Sequence, residues 1–248
     1  MIIEQKKLFF KTVSIILEDD RILDAYTSKK YSSIIALSYK DLELPAFVKY
    51  SKPTLCIDLT KDSEAVFGSF NDTTRNEIRK TYKIPELSFH LALNPTKESY
   101  ALYKKFEYSQ GRVPVTLASL QGMPSFEARY NNEIISCIYV IDCKPFLRVR
   151  SIFSKRIDAE NRQMYNIIAY ETRRLVWDIC EWGKKNDFVS LDLASVNVDN
   201  PKTKSIARFK MSFGKVLVPE YTYIYKSSAF SFFEKFAFLK LAIKRIFS

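Results

Sequence analysis

Glycine is scarce in this chain, and its five copies are scattered: Gly68, Gly111, Gly122, Gly183 and Gly214. Neither a P-loop nor a G-x-G-x-x-G dinucleotide loop can be assembled from them. A bound phosphate would have to be held by side chains or by isolated helix N-termini. Histidine is scarcer still, with a single copy at His90. A Ser–His–Asp triad could use only that residue. It sits in the alternating stretch LSFHLAL, where Phe89, Leu91 and Leu93 share one side and Ser88, His90 and Ala92 the other. His90 therefore reads as a strand residue on the less apolar face. HExxH and Cys/His zinc patterns are excluded as well. The four cysteines, Cys56, Cys137, Cys143 and Cys180, form no C-x-x-C pair. Three lie in apolar strand or helix stretches, as reduced core cysteines do, which favours the cytoplasm. No stretch reaches the roughly 18–20 uninterrupted apolar residues of a membrane span. The opening MIIEQKKLFFKTVSIILEDD lacks a small-residue cleavage site and makes a poor signal peptide.

Positive charge and aromatic rings are plentiful. Lysine and arginine number 39 against 28 acidic residues, for a formal charge of +11. That balance points to an anionic partner: nucleic acid, a nucleotide-linked substrate or an acidic membrane surface. The length of 248 residues and the 47% hydrophobic content suffice for one large domain or two small ones with a sizeable core.

Short strands are predicted at 11–17 and 33–38, and a buried strand over KPTLCIDL (52–59). Residues 62–83 read as helix, broken near Gly68 to Asp72, with Asp72 or Thr73 capping the second part. A strand at 86–93 precedes a helix over 94–111, capped by Asn94 with Pro95 at its first position and Gly111 past its end. A short helix is predicted at 115–121. Residues 124–153 carry two turn signals, Asn131-Asn132 and Cys143-Lys144-Pro145, and read as a three-strand antiparallel meander. A long helix over 161–184 follows, its apolar face set by Met164, Ile168, Leu175, Ile179 and Trp182. A buried strand at 188–195, a short helix over 200–214 capped by Asn200, a last strand at 215–225 and a C-terminal helix over 229–247 complete the order.

That order resembles the GNAT N-acyltransferase fold. The segments NDTTRNEIRKTYK (71–83), LDLAS (191–195) and ARFKMSFG (207–214) resemble the basic helix and closing signature of FemAB-type transferases. The resemblance covers about residues 54–226. It implies an α/β GNAT-like (acyl-CoA N-acyltransferase) fold, a mixed central sheet flanked by helices. Residues 1–50 would form an N-terminal extension or partial first sheet, 51–226 the transferase domain and 227–248 a basic amphipathic helix. The Q-x-x-G-x-G/A loop of ordinary GNAT enzymes is absent, since SKRIDAENRQM (154–164) follows the meander. No tightly bound cofactor is implied. The donor would be acyl-CoA, acyl-carrier protein or aminoacyl-tRNA, and the last is the donor that FemAB enzymes use.

Several residues then become candidates. Arg75 and Arg79 share a helix face, and paired guanidinium groups suit phosphates; the alternative is a solvated basic face. Arg148 and Arg150 project from one side of a strand, to meet an anionic donor or simply to face solvent. Asp192 is either a base or orienting group, or the partner of Arg208 or Lys210 in an ion pair. In FemAB enzymes the Phe–Lys pair lies at the active site. By that resemblance Lys210 offsets negative charge developing in the reaction, Phe209 shapes the site and Phe213 borders it or anchors the core. The resemblance implies transfer of an acyl or aminoacyl group to an amine on a cell-envelope saccharide or peptidoglycan precursor. The acceptor would be anionic or lipid-linked, with tRNA as a further partner. The chain would be cytoplasmic, with peripheral membrane contact through the basic helix at 229–247. The competing expectation is a GNAT-shaped module without turnover that binds RNA or anionic membrane.

Overall fold

The structure is a computed structural model. It describes residues 1–235 except Glu160, Val198, Asn200 and Lys202, and for Lys7 and Ile157 the backbone alone. The chain divides into two compact units, one made of 1–52 and 219–248, the other of 53–218.

The first unit contains β1 (Ile2–Lys7), β2 (Phe10–Ile16), α1 (Asp20–Thr27), β3 (Ser33–Ser38) and most of β10 (Leu217–Lys226). β1 and β2 form an antiparallel hairpin, β2 runs parallel to β3, and β10 runs antiparallel to β3. α1 makes the crossover that a parallel neighbour requires. Val13, Ile15, Ile22, Ile34, Ala36, Phe47 and Tyr223 close its core. The buried Tyr223 hydroxyl accepts the Leu42 N–H at 2.6 Å and donates to the Lys40 carbonyl at 3.2 Å, so its polar tip is satisfied. The last strand therefore belongs with the N-terminal strands rather than with the domain expected to run through 226. β1 and α1 were not legible in the local pattern, because charged and apolar residues alternate irregularly there.

The second unit contains the rest of β4 (Val48–Asp58), then α2 (Ser63–Ser69), α3 (Asp72–Thr81), β5 (Leu87–Ala92), α4 (Lys97–Ser109), β6 (Ser125–Tyr130), β7 (Glu133–Cys143), β8 (Phe146–Ser154), α5 (Arg162–Lys185), β9 (Ser190–Ser195) and α6 (Lys204–Met211). Its strands lie in the order β4-β9-β8-β7-β6-β5. All neighbours are antiparallel except β8 and β9, which are parallel and joined through α5. The meander is present, and Asn131 and Asn132 make its first turn with φ of 50° and 67°, as a two-residue hairpin of this type requires. β7 is buried over most of its length, the signature of a central strand covered on both faces. α4 covers one face, where the Tyr139 hydroxyl donates to Ser99 Oγ at 3.1 Å. α5 covers the other, where the Ser136 and Thr172 hydroxyls lie 3.2 Å apart. Positions 136 and 139 point to opposite sides by strand alternation.

The helix boundaries need three corrections. Asn71, not Asp72 or Thr73, caps α3, its Oδ1 accepting the Thr74 N–H at 2.8 Å. Thr96 and Ser99 cap α4 reciprocally, while Asn94 accepts the Gly122 N–H instead. α6 starts at Lys204, with Thr203 before it and no side-chain cap; Asn200 lies outside the described residues. The C-terminal helix is present from 228 through 235, and residues 236–248 of the predicted amphipathic stripe lie outside the described residues. No described helix is long and apolar enough to cross a membrane.

Candidate active site

The pairing of β8 with β9 runs Phe146↔Ser190, Leu147↔Leu191 and Arg148↔Asp192, and then stops. β8 continues to Ser154 and β9 to Ser195, so the two parallel strands diverge. The cause is local to β9. Against β4, Cys56 faces Asp192 and Thr54 faces Ser195, so three steps on β9 match two on β4. This is a β-bulge, which adds a residue, bends its strand and sharpens the local twist. The extra residue falls at Leu193–Ala194, and Ala194 is held at φ +63°, a left-handed conformation that costs a non-glycine residue about 1–2 kcal/mol.

Asp192 holds that geometry in place. It is fully buried. Its Oδ1 accepts the Ala194 N–H at 2.6 Å and a hydrogen bond from Thr54 Oγ1, and its Oδ2 pairs with Arg148 Nη1. Asp192 is thus an ion-pair residue, as one expectation had it, and Arg148 is a partner. Arg148 is buried beside it and does not share the exposed position of Arg150. Neither Arg148 nor Asp192 lines the cleft described next; the pair braces the point where the strands part.

Beyond that point lies a cleft of about 790 Å³. Its floor is the β8 edge from Val149 to Ile152 with Ser154, and Leu193 and Ala194 stand opposite. Tyr103, Phe106, Glu107, Gln110 and Arg112 reach it from α4 and the turn after it, and Ala169, Thr172 and Arg173 from α5. Ser205, Ile206, Phe209 and Lys210 reach it from α6. Because α4 and α5 cover opposite faces, the split between β8 and β9 opens one cleft to helices on both sides of the sheet.

Lys210 and Phe209 therefore stand together in the cleft. The Lys210 ammonium donates to the Ser195 carbonyl at 2.9 Å, which fixes it at the end of β9. Phe209 packs edge-on to Phe213 at 5.2 Å, and the Arg173 guanidinium lies 5.4 Å from the Phe209 ring centre. Phe213 is fully buried and packs on Phe70, so it is a core anchor under the site and not a substrate contact. Arg150 is exposed along the cleft and makes no hydrogen bond or ion pair with another described residue. Arg75 and Arg79 do not line the cleft. Arg75 donates to the Gly68 and Phe70 carbonyls and pairs with Asp72, tying α2 to α3. Arg79 reaches Asn76 and lies over Phe67. His90 is exposed on β5 and bonds Ser88.

The lining is strongly basic. Arg112, Arg150, Arg156, Arg173 and Lys210 face a single lining carboxylate, Glu107, which Arg112 grips through two bonds of 2.8 Å. Burial lowers the Arg173 pKa, Glu77 at 3.0 Å opposes that shift, and Arg156 adds to it by repulsion. The signal for Arg173 was present in the sequence: Ala169, Thr172 and Arg173 interrupt the side of α5 next to its apolar stripe. Arg156 and Arg112 carried no such signal, because each stands in a turn whose path no periodicity fixes.

Glu171 is a buried neighbour of this site. Burial pushes its carboxyl well above the usual carboxylate range, against smaller opposing effects of Thr172 and Ser136. It lies 3.2 Å from the Thr172 hydroxyl, which itself donates to the Ile168 carbonyl, and its Oε2 has no partner among described residues. A carboxyl whose folded pKa is raised binds its proton more tightly folded than unfolded. Its contribution is therefore most favourable below the unfolded value and is lost as pH rises toward the folded one. Glu171→Gln is expected to match the wild type near pH 4 and to exceed its stability increasingly toward neutral pH. Urea denaturation across that range checks the sign.

No family model matches the chain, and no curated protein is similar to it in sequence. Solved structures are similar in fold. FemX superposes with a TM-score of 0.59 at 9% identity, over 89% of this chain and 83% of FemX. The C-terminal DUF2156 domain assigned to lysylphosphatidylglycerol synthetase from Agrobacterium fabrum gives 0.56 at 11%, over 96% and 84%. L-PGS from Bacillus licheniformis gives 0.55 at 15%, over 92% and 81%. The chain therefore has a FemAB-like acyltransferase fold, and at these identities the likeness is one of fold.

Proposed function

We propose that the chain is an acyltransferase that moves an acyl or aminoacyl group to an amine on an anionic cell-envelope acceptor, a saccharide or peptidoglycan precursor. The observation that carries this reading is the divergence of β8 and β9. It opens a single cleft reached from both faces of the sheet, so a donor and an acceptor entering from opposite sides would meet beside Lys210. Named neighbours of the same fold include FemX and lysylphosphatidylglycerol synthetase, which supports acyl transfer as the reaction class.

In such a transfer the amine nitrogen attacks the donor carbonyl carbon and a C–N bond forms. The carbonyl electrons move onto oxygen. Collapse of that oxyanion breaks the C–S or C–O bond to the carrier, and the amine proton leaves with the carrier or to water. The Lys210 ammonium, fixed by Ser195, supplies a positive charge that needs no reorganisation as the oxyanion develops. The β8 edge beyond Val149 offers backbone N–H groups that no strand covers, and these would orient the donor. The basic lining suits phosphate groups on donor or acceptor. Glu107 is held by Arg112 and His90 lies elsewhere, so positioning and charge stabilisation would do most of the work.

The test is direct. The purified chain is incubated with labelled acyl-CoA, acyl-carrier protein or aminoacyl-tRNA and with amine-bearing envelope precursors, and products are read by mass spectrometry. Transfer from at least one donor is expected. Failure of every donor, with RNA or anionic lipid still bound, would replace this reading by a binding module.

A further inference from the structure

The β1–β2 hairpin is built against its own local preferences. Lys7 pairs with Phe10 in register, so the connecting loop is the two residues Leu8 and Phe9. Leu8 has φ +54°, at the first central position of a two-residue hairpin loop, where glycine is the preferred residue when φ is positive there. Leu8 is 65% exposed and Phe9 91% exposed, and they stand side by side at the tip. One pair further from the tip, Lys6 faces Lys11 across the strands, a like-charge pair that destabilises a hairpin. Phe10, which closes the loop opposite Lys7, turns inward and packs on Phe230 and Phe233 at 5.3 and 5.2 Å, so the strand behind the tip is anchored in its own unit.

Three unfavourable choices in six residues have one common explanation. An apolar tip gains by leaving water, and a lysine pair just behind it gains by meeting negative charge. An anionic phospholipid bilayer supplies both at the matching depths, hydrocarbon for the tip and phosphate headgroups for the lysines. We infer that the Leu8–Phe9 hairpin tip is a membrane anchor that inserts into anionic bilayers. The inference is independent of any transfer reaction, because binding needs no donor or acceptor.

The decisive variant separates folding from binding. Leu8→Gly/Phe9→Asn gives the turn the residues it prefers and removes the apolar tip. The full chain and this variant are sedimented with vesicles of phosphatidylcholine, with and without phosphatidylglycerol. The wild type is expected to bind only the vesicles containing phosphatidylglycerol, and less at high salt. The variant is expected to keep or raise its melting temperature and to lose at least about tenfold in vesicle binding. In a Phe9→Trp chain the added emission should shift to the blue on those vesicles alone. Undiminished binding by the double variant, equal binding to pure phosphatidylcholine, or no binding by the wild type would overturn the assignment. So would loss of chain self-association in the variant without any change at vesicles, since that would make the tip a protein contact.

Discussion

Lys210→Ala is expected to lower the turnover of acyl transfer by roughly a hundred- to a thousandfold, the usual effect of removing one preorganised donor to an oxyanion. Binding of donor and acceptor should change far less, because the charge matters most when the oxyanion forms. The fold should survive, since Lys210 lies on one short helix and its side chain is only partly buried. Lys210→Arg keeps the charge but spreads it over a larger planar group, so it should recover only part of the loss. Steady-state kinetics with saturating donor separates these cases. A Lys210→Ala chain that folds and turns over at the wild-type rate would remove this lysine from the mechanism.

Asp192→Ala is expected to act on stability. It would remove the Asp192 carboxylate from the buried Arg148 guanidinium, an effect on the order of 3–5 kcal/mol for a buried pair broken on one side. It also deprives the Ala194 N–H and Thr54 hydroxyl of their acceptor. For a chain of this size the melting temperature should fall on the order of 10 °C. Replacing both partners with apolar residues, Arg148→Met with Asp192→Leu, should restore much of the stability, while the Ala194 bulge still lacks its acceptor. The double variant should therefore fold and transfer poorly, whereas a catalytic Asp192 would give an Asp192→Asn chain that is stable and inert. Thermal unfolding and turnover of the three variants together assign the residue.

Much of this fold could be read from the sequence. The long amphipathic α5, the meander with its Asn131–Asn132 turn and the break between α2 and α3 each carry a strong local signal in periodicity or turn chemistry. Lys210 and Phe209 were singled out by the resemblance that the order of elements around ARFKMSFG supports, and both line the cleft. The pairing of Arg148 with Asp192 was not legible, because strand adjacency selects the partner and nothing local says that β8 lies beside β9. Arg75 looked like half of a phosphate grip, since the sequence shows its helix face but not the open carbonyls of Gly68 and Phe70 that it reaches. The cap of α3 was misplaced by one residue among Asn71, Asp72 and Thr73, all of which are good capping residues. The bulge at Ala194 had no glycine to announce it.

A donor is expected to bind where β8 and β9 diverge. Hydrogen exchange of the full chain, with and without an unreactive analogue of the donor that supports turnover, tests this most directly. Exchange is predicted to slow along 149–154 and at 193–194, the β8 and β9 segments that border the cleft. Slowing confined to α3 around Arg75 and Arg79, with residues 149–154 unchanged, would contradict it.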